Sequence, residues 1–252
     1  MNTIATDNLI THIYQNRTIM GKEAADAVYK RIIKLLEQQS FVNVIFAAAP
    51  SQNEFLDCLT KNTAIDWTRV NAFHMDEYIG LPENDPRLFS SFLKEKIFDQ
   101  LPFYSINYIN GNATDLKAEC ARYALLLAQY PPDIVCMGIG ENGHIAFNDP
   151  PVADFNDPLK VKIVELDTAC RQQQVNDGCF NALNDVPVHA ITLTIPSLMA
   201  GKYIFCMVPG PKKAEAVYNT IKEEIIEKYP SSILRKHPNV FLFFDKDSSS
   251  LL

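Results

Sequence analysis

The sequence predicts an α/β fold: one domain with a mainly parallel, Rossmann-like sheet, helices on both of its faces and a lid-like insertion. Three observations carry that prediction. Continuous apolar runs recur along the chain, as strands covered on both faces require. Amphipathic stretches separate them, as the crossovers of βαβ units do. Proline and glycine fall between these segments, with no internal repeat and no low-complexity linker, so the 252 residues read as a single domain, 1–252.

The elements follow in order. Residues 20–38 carry Ala25, Val28, Ile32 and Leu35 at helical spacing, with Lys and Glu between them. FVNVIFAAA (41–49) is the first apolar strand and RVNAFHM (69–75) the second. DIVCMGI (133–139), AITLTI (190–195), YIFCMV (203–208) and VFLFF (240–244) complete the set. Amphipathic stretches at 87–100, 114–129 and 211–228 supply the covering helices. Residues 148–189 are rich in Asn, Asp and Pro, with one short strand-like run at 161–166. An irregular insertion of that length in an α/β domain predicts a lid over the active site.

Composition excludes several classes. The formal charge is −7, from 23 basic and 30 acidic residues, and no basic block offsets it, which argues against nucleic acid as a partner. No run approaches the roughly 18 apolar residues of a membrane helix, and MNTIATDNLITHIYQN lacks the basic start and apolar stretch of a signal peptide. The six cysteines form no CxxC pair, and Cys136 and Cys206 sit inside strand runs, so free thiols in a reducing, cytoplasmic setting are expected. The five histidines show neither HExxH nor paired spacing, and no metal site is predicted.

In open parallel sheets, ligands bind beyond the carboxyl ends of the strands. Pro50-Ser51-Gln52 follows the first strand, Asp76-Glu77-Tyr78 the second, and Gly140-Glu141-Asn142-Gly143-His144 the third, running on to Asn148 and Asp149. Pro209-Gly210-Pro211-Lys212-Lys213 follows the run at 203–208. One hydroxyl, acids, a histidine and a lysine pair thus meet on one rim, a set able to bind a phosphate and move protons. Gly138-x-Gly140-x-x-Gly143 matches the dinucleotide fingerprint, but HIAFNDPP follows it, and Pro150-Pro151 soon blocks the helix that a pyrophosphate site needs. Taken singly, Asp76 and Glu77 read equally well as helix caps, His144 as a structural histidine and the lysines as surface charge.

HMDEYIGLP (74–82) resembles the MDEYxGLP signature of glucosamine-6-phosphate deaminases, and GIGENGHIAFNDP (138–150) is similar to that family's GxGxxGHIxFNEP segment. LDTACRQQQVND (166–177), VPGPKKA (208–214) and SSILRKHPNV (231–240) extend the resemblance over most of the chain. It implies conversion of glucosamine 6-phosphate, or a close epimer, to the ketose 6-phosphate with release of ammonia, and no cofactor. His144 would open the sugar ring, oriented by Asn142 and Asp149, and Asp76 would carry a proton from C2 to C1. Ser51, Lys213 and Arg171 would hold the phosphate, with Glu77 and Gly143 also facing substrate. Relatives occur as monomers and larger assemblies, so a homo-oligomer stays open.

The chain departs from the family pattern in three places. The glycine-rich TGSTP-type loop is replaced by Ala47-Ala48-Ala49-Pro50-Ser51-Gln52, and proline offers an anion no N–H. Asp149 stands for the usual Glu, one methylene shorter, and a weaker contact with His144 is expected. Asn142 removes a charge that some relatives place beside that histidine. Two alternatives remain: a lactonase of the 6-phosphogluconolactonase type, which has no need of Asp76 for C2 chemistry, and a non-catalytic sugar-phosphate sensor.

Overall fold

The computed structural model describes residues 2–6 and 9–252. Its strands are β1 (Asn2–Thr6), β2 (Leu9–Tyr14), β3 (Val42–Phe46), β4 (Val70–His74), β5 (Asp76–Tyr78), β6 (Ser105–Asn107), β7 (Ile134–Met137), β8 (Val161–Glu165), β9 (His189–Leu193), β10 (Tyr203–Val208) and β11 (Val240–Asp245). The helices are α1 (Arg17–Leu36), α2 (Asn53–Thr60), α3 (Phe89–Leu93), α4 (Leu116–Gln129), α5 (Thr168–Asn176), α6 (Ile195–Met199) and α7 (Ala214–Lys222). A π-helical turn, Lys94–Phe98, extends α3.

The main sheet runs β1-β2-β11-β10-β7-β3-β4-β6 and is parallel apart from the β1–β2 hairpin. The central strands β7 and β10 carry no charged, amide or hydroxyl-aliphatic residue because both faces are covered, and β3 and β4 add only Asn43, Asn71 and His74. In β10, Ile204, Cys206 and Val208 face the side packed by α4 and α7, while Phe205 and Met207 face α1 and α2. Asn16 caps α1 by accepting from the Ile19 amide at 3.0 Å, and Asp115 caps α4 by accepting two amides at 2.9 Å.

Two expectations are corrected. AITLTI does not join the parallel sheet: β9 pairs antiparallel with β5 and β8 in a separate three-stranded sheet. Residues 148–189 are not an irregular excursion, since they fold as β8, α5 and a 3-10 turn around a third apolar cluster with Tyr78, Phe147, Cys170 and Phe180. The hairpin β1–β2 and the short strands β5 and β6 carry no long apolar run and were not foreseen.

Chain order reverses between β3 and β7. From β3 the sheet grows through β4 to β6 on one side and through β7, β10 and β11 on the other. The loops leaving β3 and β7 therefore diverge and open a crevice at the carboxyl ends of these strands.

Candidate active site

That crevice is a cleft lined by Ala47, Ala48, Ala49 and Ser51 from the loop after β3, Met75 and Asp76 after β4, and Gly138, Gly140, His144 and Ala146 after β7. Gln173 and Gln174 of α5 form the remaining polar wall, and Phe89 and Phe147 the apolar one. A second cavity shares Ala49, Ser51 and Gln173 with it and continues to Arg17, Asp177, Lys212 and Lys213.

The loop after β7 exists to place His144. Gly143 adopts φ +85°, a conformation open chiefly to glycine, and its amide donates to the Gly140 carbonyl at 3.0 Å, closing a tight turn. The chain then doubles back so that the His144 ring lies directly against Gly140, in space a side chain there would occupy. Ala146, at φ +47°, is strained in the same segment. His144 Nδ1 lies 2.8 Å from Asn142 Oδ1 and 2.9 Å from Asp149 Oδ1. Both neighbours are acceptors, so Nδ1 carries the proton and Nε2 keeps its lone pair. Asn142 Nδ2 also donates to Asp149 Oδ1 at 3.0 Å, locking the trio. The shorter acid reaches His144 after all, contrary to the weakened contact expected from its length. Burial pushes the Asp149 carboxyl up, but the electrostatic pull of His144 and the hydrogen bonds of His144, Asn142 and Cys170 prevail and hold it below the usual range.

Asp76 opens β5 as Met75 carries the chain out of the main sheet. It is 6% exposed, and no side-chain hydrogen bond engages its carboxylate among the described residues. Burial, then repulsion from Glu77, raises its pKa well above that of an ordinary aspartate. It is a carboxylate held ready to take a proton. His74 just before it is structural: it is fully buried, accepts from the Ile109 amide at 2.8 Å, and burial pushes its pKa down to about 3.

The sequence-derived residues sort into two groups. Asp76, His144, Asn142, Asp149 and Ser51 come together at the cleft, and Lys213 stands at the adjoining cavity. Three others do not reach it. Glu77 points away and caps α3, accepting from the Phe89 amide at 3.0 Å and the Ser90 amide at 2.8 Å. Its role is the helix cap, and by fixing α3 it sets Phe89 into the cleft wall. Arg171 gives its Nη2 to the Leu183 and Val186 carbonyls at 2.7 and 3.0 Å, bracing the segment after α5, while its buried Nε has no hydrogen-bond partner among the described residues. Gly143 serves the turn and is not part of the cleft wall.

Three contributors escaped the sequence reading, and Gln52, which it placed on the rim, was given no role. Gln52 is 1% exposed, and its amide nitrogen hydrogen-bonds Ser51 Oγ at 3.1 Å, tying the loop after β3 to that hydroxyl. Gln173 accepts from the Glu141 amide at 2.7 Å and bridges the two cavities. Gln174 lines the cleft beside it. Arg17, at the start of α1, donates to the Pro50 carbonyl at 2.9 Å and pairs with Glu54 at 2.5 Å, holding the Ala-Pro-Ser loop in place. Glutamines inside QQQ and an arginine among other surface charges carry no motif, so only proximity to the loop after β3 could have marked them. Lys213 is 8% exposed, and its burial depresses its pKa, against the pull of Asp177 and Glu141.

Residues 15–242 match the family model described as glucosamine-6-phosphate isomerases/6-phosphogluconolactonase. A glucosamine-6-phosphate deaminase of Bacillus cereus (strain B4264) is 39% identical over 230 residues, covering 91% of this chain and 86% of the relative. One of Bacillus cytotoxicus is 38% identical over the same shares. Among solved structures, a monomeric glucosamine-6-phosphate deaminase superposes with a TM-score of 0.87 at 27% identity, over 96% of this chain and 99% of its own. A 6-phosphogluconolactonase of Thermotoga maritima reaches a TM-score of 0.78 at 17% identity over 94% and 100%, a likeness of fold.

Proposed function

The chain belongs to the glucosamine-6-phosphate isomerase/6-phosphogluconolactonase family, and from that premise we infer how its residues divide the reaction. It is an amino-sugar phosphate deaminase/isomerase, converting glucosamine 6-phosphate or a close epimer and water to the ketose 6-phosphate and ammonia.

The observation that carries the assignment of roles is the pairing, on one cleft, of an unengaged buried Asp76 with a His144 whose Nδ1 is fully committed. His144 Nε2 takes the proton of the anomeric hydroxyl and returns it to the ring oxygen, opening the pyranose. Asp149 and Asn142 stabilise the imidazolium formed on the way. Asp76 then removes the C2 proton of the open-chain aldehyde and delivers it to C1. The enolamine becomes a ketimine, water adds at C2, and ammonia departs. General-base catalysis by a positioned carboxylate supplies roughly 10²–10⁴-fold of such an acceleration. The raised pKa makes Asp76 a stronger base once ionised, in a site that water enters poorly.

The phosphate is assigned to the second cavity, on Ser51 and Lys213, with Lys212 and Arg17 also in its lining. A dianion there would relieve the desolvation that depresses Lys213. The folded 148–189 segment carries Gln173 and Gln174 onto the cleft, so its closure over substrate remains part of the reading, measurable as amide-exchange protection on ligand binding. No helix among the described residues is long and apolar enough to cross a membrane, and the six free cysteines fit a cytoplasmic enzyme.

The test is ammonia release with glucosamine 6-phosphate, beside galactosamine 6-phosphate and a 6-phosphogluconolactone control. Saturable ammonia with the matching ketose phosphate supports the reading and ranks the epimers. Lactone turnover without ammonia would overturn it.

A further inference from the structure

Cys170 has no part in the steps above, yet its thiol is 1% exposed and lies against the His144–Asp149 pair. One donor atom each from His144, Asp149 and Cys170 lies within 4.8 Å of the other two. Around tetrahedral zinc, with bonds of about 2.0–2.3 Å, ligand atoms stand roughly 3.3–3.8 Å apart. Gathering these three about one ion therefore asks for shifts on the order of 1 Å. Imidazole, carboxylate and thiolate form a donor set that suits zinc-class ions and not magnesium or calcium.

Two further observations point to a cation. Asp149 is fully buried; its Oδ1 takes His144 and Asn142, its Oδ2 takes no nitrogen or hydroxyl donor, and only the Cys170 thiol is left to engage the carboxylate. Asp149 also lines a cavity with Glu165 and Asp167 that shares no residue with the sugar cleft. An acidic mouth of that kind concentrates cations beside Asp149, on a side of it that the sugar cleft does not use.

We propose that His144, Asp149 and Cys170 bind a zinc-class divalent metal ion, with water as fourth ligand, and that occupancy switches the enzyme off. The ion takes the Cys170 sulfur and displaces its proton to solvent, with no change in oxidation state. Through Nδ1 it also replaces the hydrogen bonds that orient the imidazole, leaves the ring proton on Nε2, where it blocks the lone pair that opens the sugar ring, and removes Asp149 from its support. The switch rests on the role inferred for His144; the binding does not.

The experiment uses the full-length, chelator-treated protein with Co²⁺ as a spectroscopic probe and Zn²⁺ as the inhibitor. The wild type should take up one Co²⁺ per chain with a thiolate-to-cobalt charge-transfer band, which Zn²⁺ abolishes. Micromolar Zn²⁺ should lower ammonia release at least tenfold. Cys170→Val and Cys170→Ser should lose the band, and each variant's half-inhibiting Zn²⁺, measured against its own metal-free rate, should rise. That rise should exceed the roughly 10–100-fold that loss of a mere outer-shell partner costs. A wild type without the thiolate band, or variants as zinc-sensitive as the wild type, would overturn the proposal. A thiolate band in a protein that releases no ammonia from any amino sugar would support the metal site and refute the function inferred above.

Discussion

Replacing Gly140 by Ala moves the catalytic histidine by a distance the structure fixes. A Cβ at this position would stand 2.1–2.3 Å from three atoms of the His144 ring. Ordinary contact begins at 3.4 Å, so the nearest ring atom must recede by 1.3 Å, the difference between 2.1 and 3.4 Å. His144 Nδ1 now sits 2.9 Å from Asp149 Oδ1, and a retreat of that size along the contact would break the hydrogen bond. Misplacement of a reacting group by about 1 Å can cost 10²-fold, or about 2.7 kcal/mol of transition-state stabilisation. Overpacking should also cost about 1–3 kcal/mol of stability, which leaves a folded protein. Steady-state ammonia release from glucosamine 6-phosphate, with thermal unfolding as the control, reads both effects. The expected result is a fall in kcat of about 10²-fold with a modest drop in Tm. If the lost step is ring opening, C2–H exchange should fall in parallel, because the aldehyde is formed first. Wild-type turnover in Gly140→Ala would refute the claim that His144 acts from the position described.

Other outcomes follow from the same geometry. Asp76→Asn should abolish solvent exchange at C2–H while substrate still stabilises the protein; retained turnover would remove Asp76 from the mechanism. Because the folded pKa of Asp76 is raised, its ionisation costs stability once pH climbs above the ordinary carboxylate range, and the cost is full above the raised value. Asp76→Asn should therefore raise Tm at neutral pH, by on the order of 1–3 kcal/mol of relieved desolvation, and not at acidic pH. In the wild type the acid limb of kcat/KM should lie above the usual aspartate range, which a pH–rate profile reads directly. Arg171→Ala should lower stability by about 1.5–3 kcal/mol through two lost charge-assisted hydrogen bonds, with KM unchanged, whereas Lys213→Ala should raise KM; the reverse pattern in Michaelis and unfolding data would return Arg171 to the phosphate site. Glu77→Ala should cost about 0.5–2 kcal/mol as a lost cap and leave a measurable C2–H exchange rate, unlike Asp76→Asn.

The sequence by itself determined which segments are buried and where on the rim the chemistry gathers. Apolar runs at 41–49, 69–75, 133–139, 203–208 and 240–244 became parallel strands, since burial on both faces leaves a mark that survives in one dimension. Asp76, Asn142, His144 and Asp149 were legible because a tight glycine turn and a strand end keep them close along the chain. Tertiary structure alone decided the rest. AITLTI is as apolar as its neighbours, and a run buried on both faces reads the same in either sheet, so its departure to pair with β5 and β8 left no trace. Asp76 and Glu77 are adjacent acids of nearly equal chemistry. Because successive residues of a strand point to opposite faces, one reaches the cleft and the other caps α3. The bracing use of Arg171 was hidden too: its Nη2 finds carbonyls at Leu183 and Val186, 12 and 15 residues away, only when that loop folds back. The His144–Asp149–Cys170 cluster was likewise hidden: its third member comes from α5, and histidine spacing cannot report a thiol brought in by packing. Short-range pattern fixes what must be buried, whereas partners distant in sequence are chosen only when the chain closes on itself.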